Sequence, residues 1–596
     1  MPTSFYNQTI NNNKDRLSAL KKKSSIISWI RLLCIVVFLL FGFSVWQNAA
    51  ALNISLVVAS IASFGYLVIY SGKLHEKIVH LTALVETCKK EISWINGNYR
   101  LYNNGSEWLK VLKDETNDLD SFGEASMFQF LNRTNSYLGG LKLANSLQGK
   151  TTKEEILYNQ EAIKELKNNP EWLLESHVRS QKAPIPQDTY EHLKAWLNNT
   201  GSAFQAKIWH LMPVIVPIIS VSTIIALVTS FIPFSLFNIV MLIILIINFS
   251  IYKKVTAEYI HLSNVADKIQ ALSPAFKHIE DATFKSEKLN TIQQSFSNKE
   301  TGASSEAIHE LKSILKRFDY RLNPIVYTIL SAVLFWDLRQ IFALEKWKLK
   351  YHNQFESWLQ ANAEIEKLVS YATVAFNKPH WVFPTITDNW FKLKMEKVGH
   401  PLIVENKSVT NRFNMNHAPT VTIITGSNMA GKSTYLRTVG TNILLAMAGG
   451  AVCAQEMECS VMRPVCSMRI ADNLSEDTST FYAELLKMKT IVTAIKNQEH
   501  VIVLVDEMLR GTNTFDRHLG SKAFIQQMIT QNAVGIVATH DVALVDLKDT
   551  YPNNIQLGYF DSVINNDEIE FDYKYKDGVC KTTNASLLMK KIGLEV

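Results

Sequence analysis

Residues 421–434 read Val-Thr-Ile-Ile-Thr-Gly-Ser-Asn-Met-Ala-Gly-Lys-Ser-Thr, an apolar β-branched run that enters Gly426-x-x-x-x-Gly431-Lys432-Ser433. That pattern suits phosphate chemistry. Glycines let successive backbone N–H groups turn toward phosphate oxygens, and the N-terminus of a following helix adds partial positive charge. Lys432 is expected to reach the β and γ phosphates and Ser433 to ligate Mg²⁺. The predicted nucleotide cradle is Gly426, Asn428, Met429, Ala430, Gly431, Lys432, Ser433 and Thr434. A second strand, Val501 to Val505, ends in Asp506-Glu507. An acid at the end of a buried strand lacks solvation unless it faces a site, so a partner cation is expected. Asp506 is expected to hold Mg²⁺, directly or through water, and Glu507 to orient and deprotonate an attacking water. A third strand, Val534 to Ala538, leads into Thr539-His540-Asp541. An isolated histidine there is more often structural, but three strand ends converging in an α/β sheet favour His540 as a sensor of the γ phosphate. The predicted catalytic set is Glu507, His540 and Lys432.

These residues need a strand, a phosphate loop and a helix in sequence. Leu436, Val439, Ile443 and Leu444 supply one apolar helix face directly after the loop. An α/β P-loop domain is therefore assigned to residues 398–596. Upstream, residues 73–207 and 253–397 read as helical, with Leu74, Ile78, Leu81, Leu84 and Val85 on one face. Residues 303–318 repeat the pattern through Leu311, Ile314, Leu315 and Phe318. Lys312, Lys316, Arg317 and Arg321 read as a solvated basic face in preference to a phosphate track. Residues 297–305 (SNKETGASS) are the expected flexible loop.

The 596 residues carry only 19% charge with 47% hydrophobic residues, which excludes a disordered or collagen-like chain. Of the net charge of +6, +5 lies before residue 32, from Lys14, Arg16, Lys21, Lys22, Lys23 and Arg31 against Asp15. Global basicity is thus no argument for DNA binding. Residues 32–72 and 208–252 contain no Asp, Glu, Lys or Arg, and each run has room for two spans of about 20 residues. Two helical hairpins are expected within residues 27–72 and 208–252, with spans near 27–46, 51–70, 212–231 and 234–252. Residues 1–26 would form a basic N-terminal segment. The cations flanking the runs put all soluble parts on the cytoplasmic side of a multi-pass inner-membrane protein. Ile325 to Trp336 is too short to cross and is expected to be a buried core helix. Six cysteines without a C-x-x-C pair read as reduced, structural thiols.

The motifs resemble those of the MutS mismatch-repair ATPases. That family's loop TGPNMxGKST is matched by TGSNMAGKST from Thr425, and its DExGRGTST by DEMLRGTNT from Asp506. Its STF segment resembles Ser479-Thr480-Phe481, and its ATH loop Ala538-Thr539-His540. The resemblance implies ATP and Mg²⁺ as ligands, and a head-to-tail homodimer in which Ser479 acts in trans on the partner's nucleotide. It makes Tyr573 a candidate for stacking on adenine, or equally an aromatic on an edge strand. Leu509, where the family has Gly, is expected to alter the turn after the acids. The helical segments resemble the family's core and lever more loosely. No segment is evident for a mismatch-reading domain, and Phe122-Gly-Glu124 reads as a chance copy of that domain's Phe-x-Glu. Two functions follow as expectations: a membrane-anchored MutS-like ATPase that couples dimer closure to DNA binding, or a membrane mechanochemical ATPase acting on a protein partner without DNA.

Overall fold

The computed structural model describes residues 2–47, 50–112, 117–198, 204, 206–298, 302–427, 429–468, 480–565 and 568–580. Helix α1 (Pro2–Gln47) and α2 (Ala51–Ile95) form the first hairpin, and α3 (Lys207–Val228) and α4 (Phe234–Glu280) the second. The four are long and apolar enough to cross a membrane, by length and composition. Their breaks fall close to the expected turns, and apolar side chains such as Trp46, Phe43 and Phe231 are exposed. The basic stretch 1–26 is not a separate unit: it is the first half of α1, since no proline lies between Thr3 and Gln47 to end a helix. Likewise α2 and α4 continue well beyond their apolar stretches without a break.

Leu311, Ile314, Leu315 and Phe318 are all buried along α5 (Ser304–Phe318). Its N-terminus is tied down, because Glu280 at the end of α4 accepts hydrogen bonds from Ser304 Oγ at 2.7 Å and Ser305 N at 3.0 Å. The ends of the expected loop 297–305 are paired, Ser297–Asn298 antiparallel to Gly302–Ala303, and residues 299–301 lie outside the described residues. Helix α6 (Pro324–Leu334) corrects another expectation. Asn323 caps it by accepting from Ile325 N and Val326 N, but Ile325 and Ile329 are exposed, so this is no core helix. Phe335 in the left-handed region (φ +53) turns the chain by 79° into α7 (Trp336–Asn377), a single helix of 42 residues. Arg321 does not join a solvated face. Its guanidinium lies 3.3 Å from Asp337, with both side chains buried.

Both hairpins are fastened to α7. At its start, Arg339 donates to Pro213 O at 2.6 Å. That carbonyl is free because Pro217, four residues on, has no N–H to offer it. At its end, Tyr6 of α1 donates to Asn377 Oδ1 at 2.9 Å, and Asn377 donates to Glu91 of α2 at 2.7 Å. Glu91 is in turn paired with Arg133 at 2.9 Å, fully buried.

The C-terminal part is built on a six-stranded sheet of β1 (Thr420–Gly426), β2 (Arg463–Ser467), β3 (Val501–Asp506), β4 (Val534–Ala538), β5 (Ile555–Phe560) and β6 (Lys576–Asp577). The order is β6-β5-β1-β4-β3-β2, all parallel except the edge strand β6. Continuous apolar runs fit a parallel sheet covered on both faces. Helices α8 (Lys432–Met447), α9 (Thr480–Lys496) and α10 (Thr514–Thr530) cover it, and a separate four-stranded sheet includes Leu393–Val398 and Asn411–Met415. The helical core packs directly on this domain. Asp118 accepts from Met468 N and Lys487 Nζ, both at 2.8 Å, and Asn159 donates to Ala448 O at 3.2 Å.

Candidate functional site

Strand order decides which groups meet. Strand β4 lies between β1 and β3, and Ala538 is in register with both Ile424 and Asp506. The loops after these strands therefore start side by side, with His540 between the phosphate loop and the acids. His540 Nε2 is 2.7 Å from Glu507 Oε1 and 3.3 Å from Lys432 Nζ. One ring nitrogen cannot donate to the carboxylate and accept from the ammonium together, and the shorter contact assigns its proton to Glu507. That hydrogen bond is the largest influence holding Glu507 below the usual carboxylate range, with help from Arg510 against partial burial.

Lys432 bends back over its own loop, donating to Gly426 O at 2.7 Å and Ser427 O at 2.9 Å. Burial pulls its ammonium below the usual lysine value, and Glu507 and Asp506 counter that. Two glycines are required by geometry. Gly426 has φ +141, and a Cβ there would lie 2.3 Å from Phe560 O; Gly431 has φ +109, with a Cβ position 3.1 Å from Tyr573. Met429 is largely exposed, Ala430 is buried, Ser433 is half-buried in the first turn of α8, and Thr434 is exposed. Asp506 is buried at the end of β3. The hydroxyl of Ser427 is buried with no partner among the described residues. Asn428 and Ser479 lie outside the described residues. Tyr573 is not on an edge strand: it sits in the connection before β6, half exposed, beside Gly431.

Two residues escaped the sequence reading. Arg510 donates to Glu507 at 3.0 Å and to the Asp506 carbonyl at 2.9 Å, so one guanidinium braces both acids. Glu484, buried on α9, accepts from the backbone N–H groups of Leu509 and Arg510. Both were visible as charged residues inside the motifs. Their targets depend on the turn at 507–510, where Glu507 and Leu509 have φ of +56 and +55.

Residues 422–593 match the family model described as MutS domain V. The chain thus carries a MutS-type domain V. Among curated MutS-family proteins it is 28% identical over 228 residues to the DNA mismatch repair protein MSH4 of Arabidopsis thaliana. It is 28% identical over 273 residues to the DNA mismatch repair protein MutS of Thermotoga neapolitana, and 33% identical over 215 residues to that of Ehrlichia ruminantium. These stretches cover 37%, 44% and 35% of this chain, but only 28%, 32% and 26% of the relatives' lengths.

Against the MutS pattern, the departures in this chain have physical readings. Asn513, where Ser is usual, caps α10 by accepting from Asp516 N at 2.9 Å, a task either residue performs. Leu509 occupies a left-handed position that suits the usual Gly, at about 1–2 kcal/mol of backbone strain. Its side chain packs over Gly520 of α10. Phe122 is buried against Phe128 and Glu124 pairs with Arg100 on the surface, so the Phe-x-Glu triplet presents no wedge.

Proposed function

We propose that the chain is a membrane-anchored MutS-type ATPase that hydrolyses ATP in a head-to-tail homodimer and couples closure to DNA binding, with its soluble parts in the cytoplasm. The observation that carries the ATPase reading is the row Lys432, His540, Glu507 across three adjacent strand ends. In this reading Lys432 leaves the carbonyls of Gly426 and Ser427 for the β and γ phosphates. Loop N–H groups of 426–431 and the Ser427 hydroxyl hold phosphate oxygens, and Ser479 of the partner protomer completes the site. Glu507, kept ionised by His540 and Arg510, accepts the proton of a water aligned for in-line attack. His540 then donates toward the transferred phosphoryl group. Ser433 and Asp506 offer hard oxygen donors of the kind Mg²⁺ prefers. When bound, that ion neutralises charge developing on the phosphates. Tyr573, beside Gly431 and half exposed, is the proposed adenine contact.

The test is Glu507→Gln. ATP binding should persist while phosphate release falls by about 10²–10⁴-fold, the usual worth of a general base. Normal turnover would refute the assigned base. DNA binding by the full chain in detergent should weaken steeply with salt, because backbone contacts dominate such affinity. A second reading has one specific support: both hairpins are fastened to α7. A mechanochemical ATPase acting on a protein partner would use that link without nucleic acid, and salt-insensitive absence of DNA binding would favour it.

A further inference from the structure

The segment from Leu322 to Trp336, which contains α6, is uncharged, and its apolar side chains Leu322 (75% exposed), Ile325 (73%) and Ile329 (57%) are left uncovered on an element bonded to the second hairpin. Exposure alone does not say what covers them. The far end of the helix does. A helix leaves its last carbonyls without intrahelical partners, and in water solvent satisfies them. Here a buried side chain of the hairpin does so: Ser220 Oγ of α3 donates to Ala332 O at 2.7 Å, while Asn248 Nδ2 of α4 adds a second donor, at 3.1 Å, to Ser331 O, which also accepts from Phe335 N. Ser220 and Asn248 lie within the two uncharged spans. Backbone ends sealed by polar side chains from a span are what a chain terminus inside hydrocarbon requires.

We infer that residues 322–336 are a re-entrant element seated in the cytoplasmic leaflet beside the second hairpin, with Leu322, Ile325 and Ile329 against lipid acyl chains. Eleven helical residues rise roughly 16 Å, about half the hydrocarbon thickness, so α6 is too short to cross, and the 79° turn at Phe335 carries the chain off its line in place of continuing across. Its mouth is marked by residues suited to a membrane boundary. The rings of Tyr320 and Trp336 lie 5.9 Å apart, tilted by 30°, and Trp336 Nε1 donates to Arg317 O at 2.9 Å. Arg321 before α6 and Asp337 after it pair with each other, so neither flanking charge faces lipid alone. The Arg321 guanidinium also lies 4.7 Å from the Tyr252 ring and donates to Thr256 Oγ1 at 2.8 Å, joining α4, the turn before α6, and α7.

This inference rests on the membrane reading of the hairpins, and its test separates the two. The full chain, carrying the photoreactive residue p-benzoylphenylalanine in place of Ile325, Ile329 or, as a hairpin control, Ile243, is reconstituted into phosphatidylcholine and phosphatidylglycerol vesicles. It is then irradiated and analysed by mass spectrometry. Lipid adducts at all three positions are expected. Adducts at 243 with none at 325 and 329, or with crosslinks from these to a second copy, would overturn the re-entrant helix and leave the hairpin standing. No lipid adduct at 243 either would overturn both.

Discussion

Lys432 and Glu507 carry opposite charges across a single imidazole, and each is restrained by a neighbour from its own loop: Lys432 by carbonyls of the phosphate loop, Glu507 by Arg510. A carboxylate whose folded value is depressed contributes fully above its ordinary value of 4.5, and the contribution is lost as pH falls through the lower folded value. The acid limb of the ATPase pH profile should therefore lie below the usual carboxylate range. In Arg510→Ala it should move upward, because one of the charges holding Glu507 ionised is gone; an unmoved limb would separate Arg510 from the acid. Gly426→Ala tests the loop itself. Its Cβ would meet the Phe560 backbone, so nucleotide retention should be lost and the melting temperature lowered in a thermal-shift assay. At this scale the sequence was most informative, since Gly426, Lys432, Asp506 and Glu507 are fixed by spacing alone. Arg510 and Glu484 were present in plain view but unassigned. Their roles arise from left-handed backbone at Glu507 and Leu509, which no pattern of residue types announces.

Among the elements, α7 has the greatest number of duties, and its C-terminal anchor is a buried polar cluster. Burial alone would raise Glu91, yet the Arg133 charge and hydrogen bonds hold it below the ordinary carboxylate value. Tyr6, Tyr102 and Asn377 complete the cluster. Arg133→Met should cost about 3–5 kcal/mol by leaving Glu91 buried without a countercharge, while Tyr6→Phe should cost only about 1 kcal/mol. Denaturant titration in detergent, followed by tryptophan fluorescence, measures both. Adding Glu91→Leu to Arg133→Met should restore most of the loss, because the unpaired charge and not the missing pair is the larger penalty. The pairs of long apolar helices were legible because 41 and 45 residues without charge leave no polar face for an ordinary surface helix. Helix α6 was misjudged for the converse reason: hydropathy marks a segment as shielded from water without saying by what. The ordered ends of loop 297–305 were not legible because the composition of a turn does not show that Glu280 pins the helix that follows it.

For the whole molecule, the proposed head-to-tail arrangement has an arithmetic signature. A Lys432→Ala chain and a Ser479→Ala chain should each be inactive alone. Mixed equally, half the dimers pair unlike chains and each of those has one intact site, so activity should recover to about a quarter of the unmodified level. No recovery after verified subunit exchange, or full activity, would contradict a site shared between chains. The family domain was readable from end to end because its chemistry is local. What the remaining helices act on was not, because a lever's target is set by the partner it meets.

The continuity of α1 and α2 has a last consequence. Beyond Gly72, α2 runs on for roughly 35 Å without a hinge and ends in the buried Glu91 cluster. A flexible tether would let the catalytic head tumble and search a volume. In the proposed membrane-anchored dimer, a paired-helix stalk would fix the head's height and heading instead, so that heads on one bilayer would meet only by lateral diffusion and by rotation about the membrane normal. A closed pair must then place its two-fold axis along that normal. The frequency of closure becomes a function of how many molecules share an area of membrane, and clustering or dilution in the plane sets the rate.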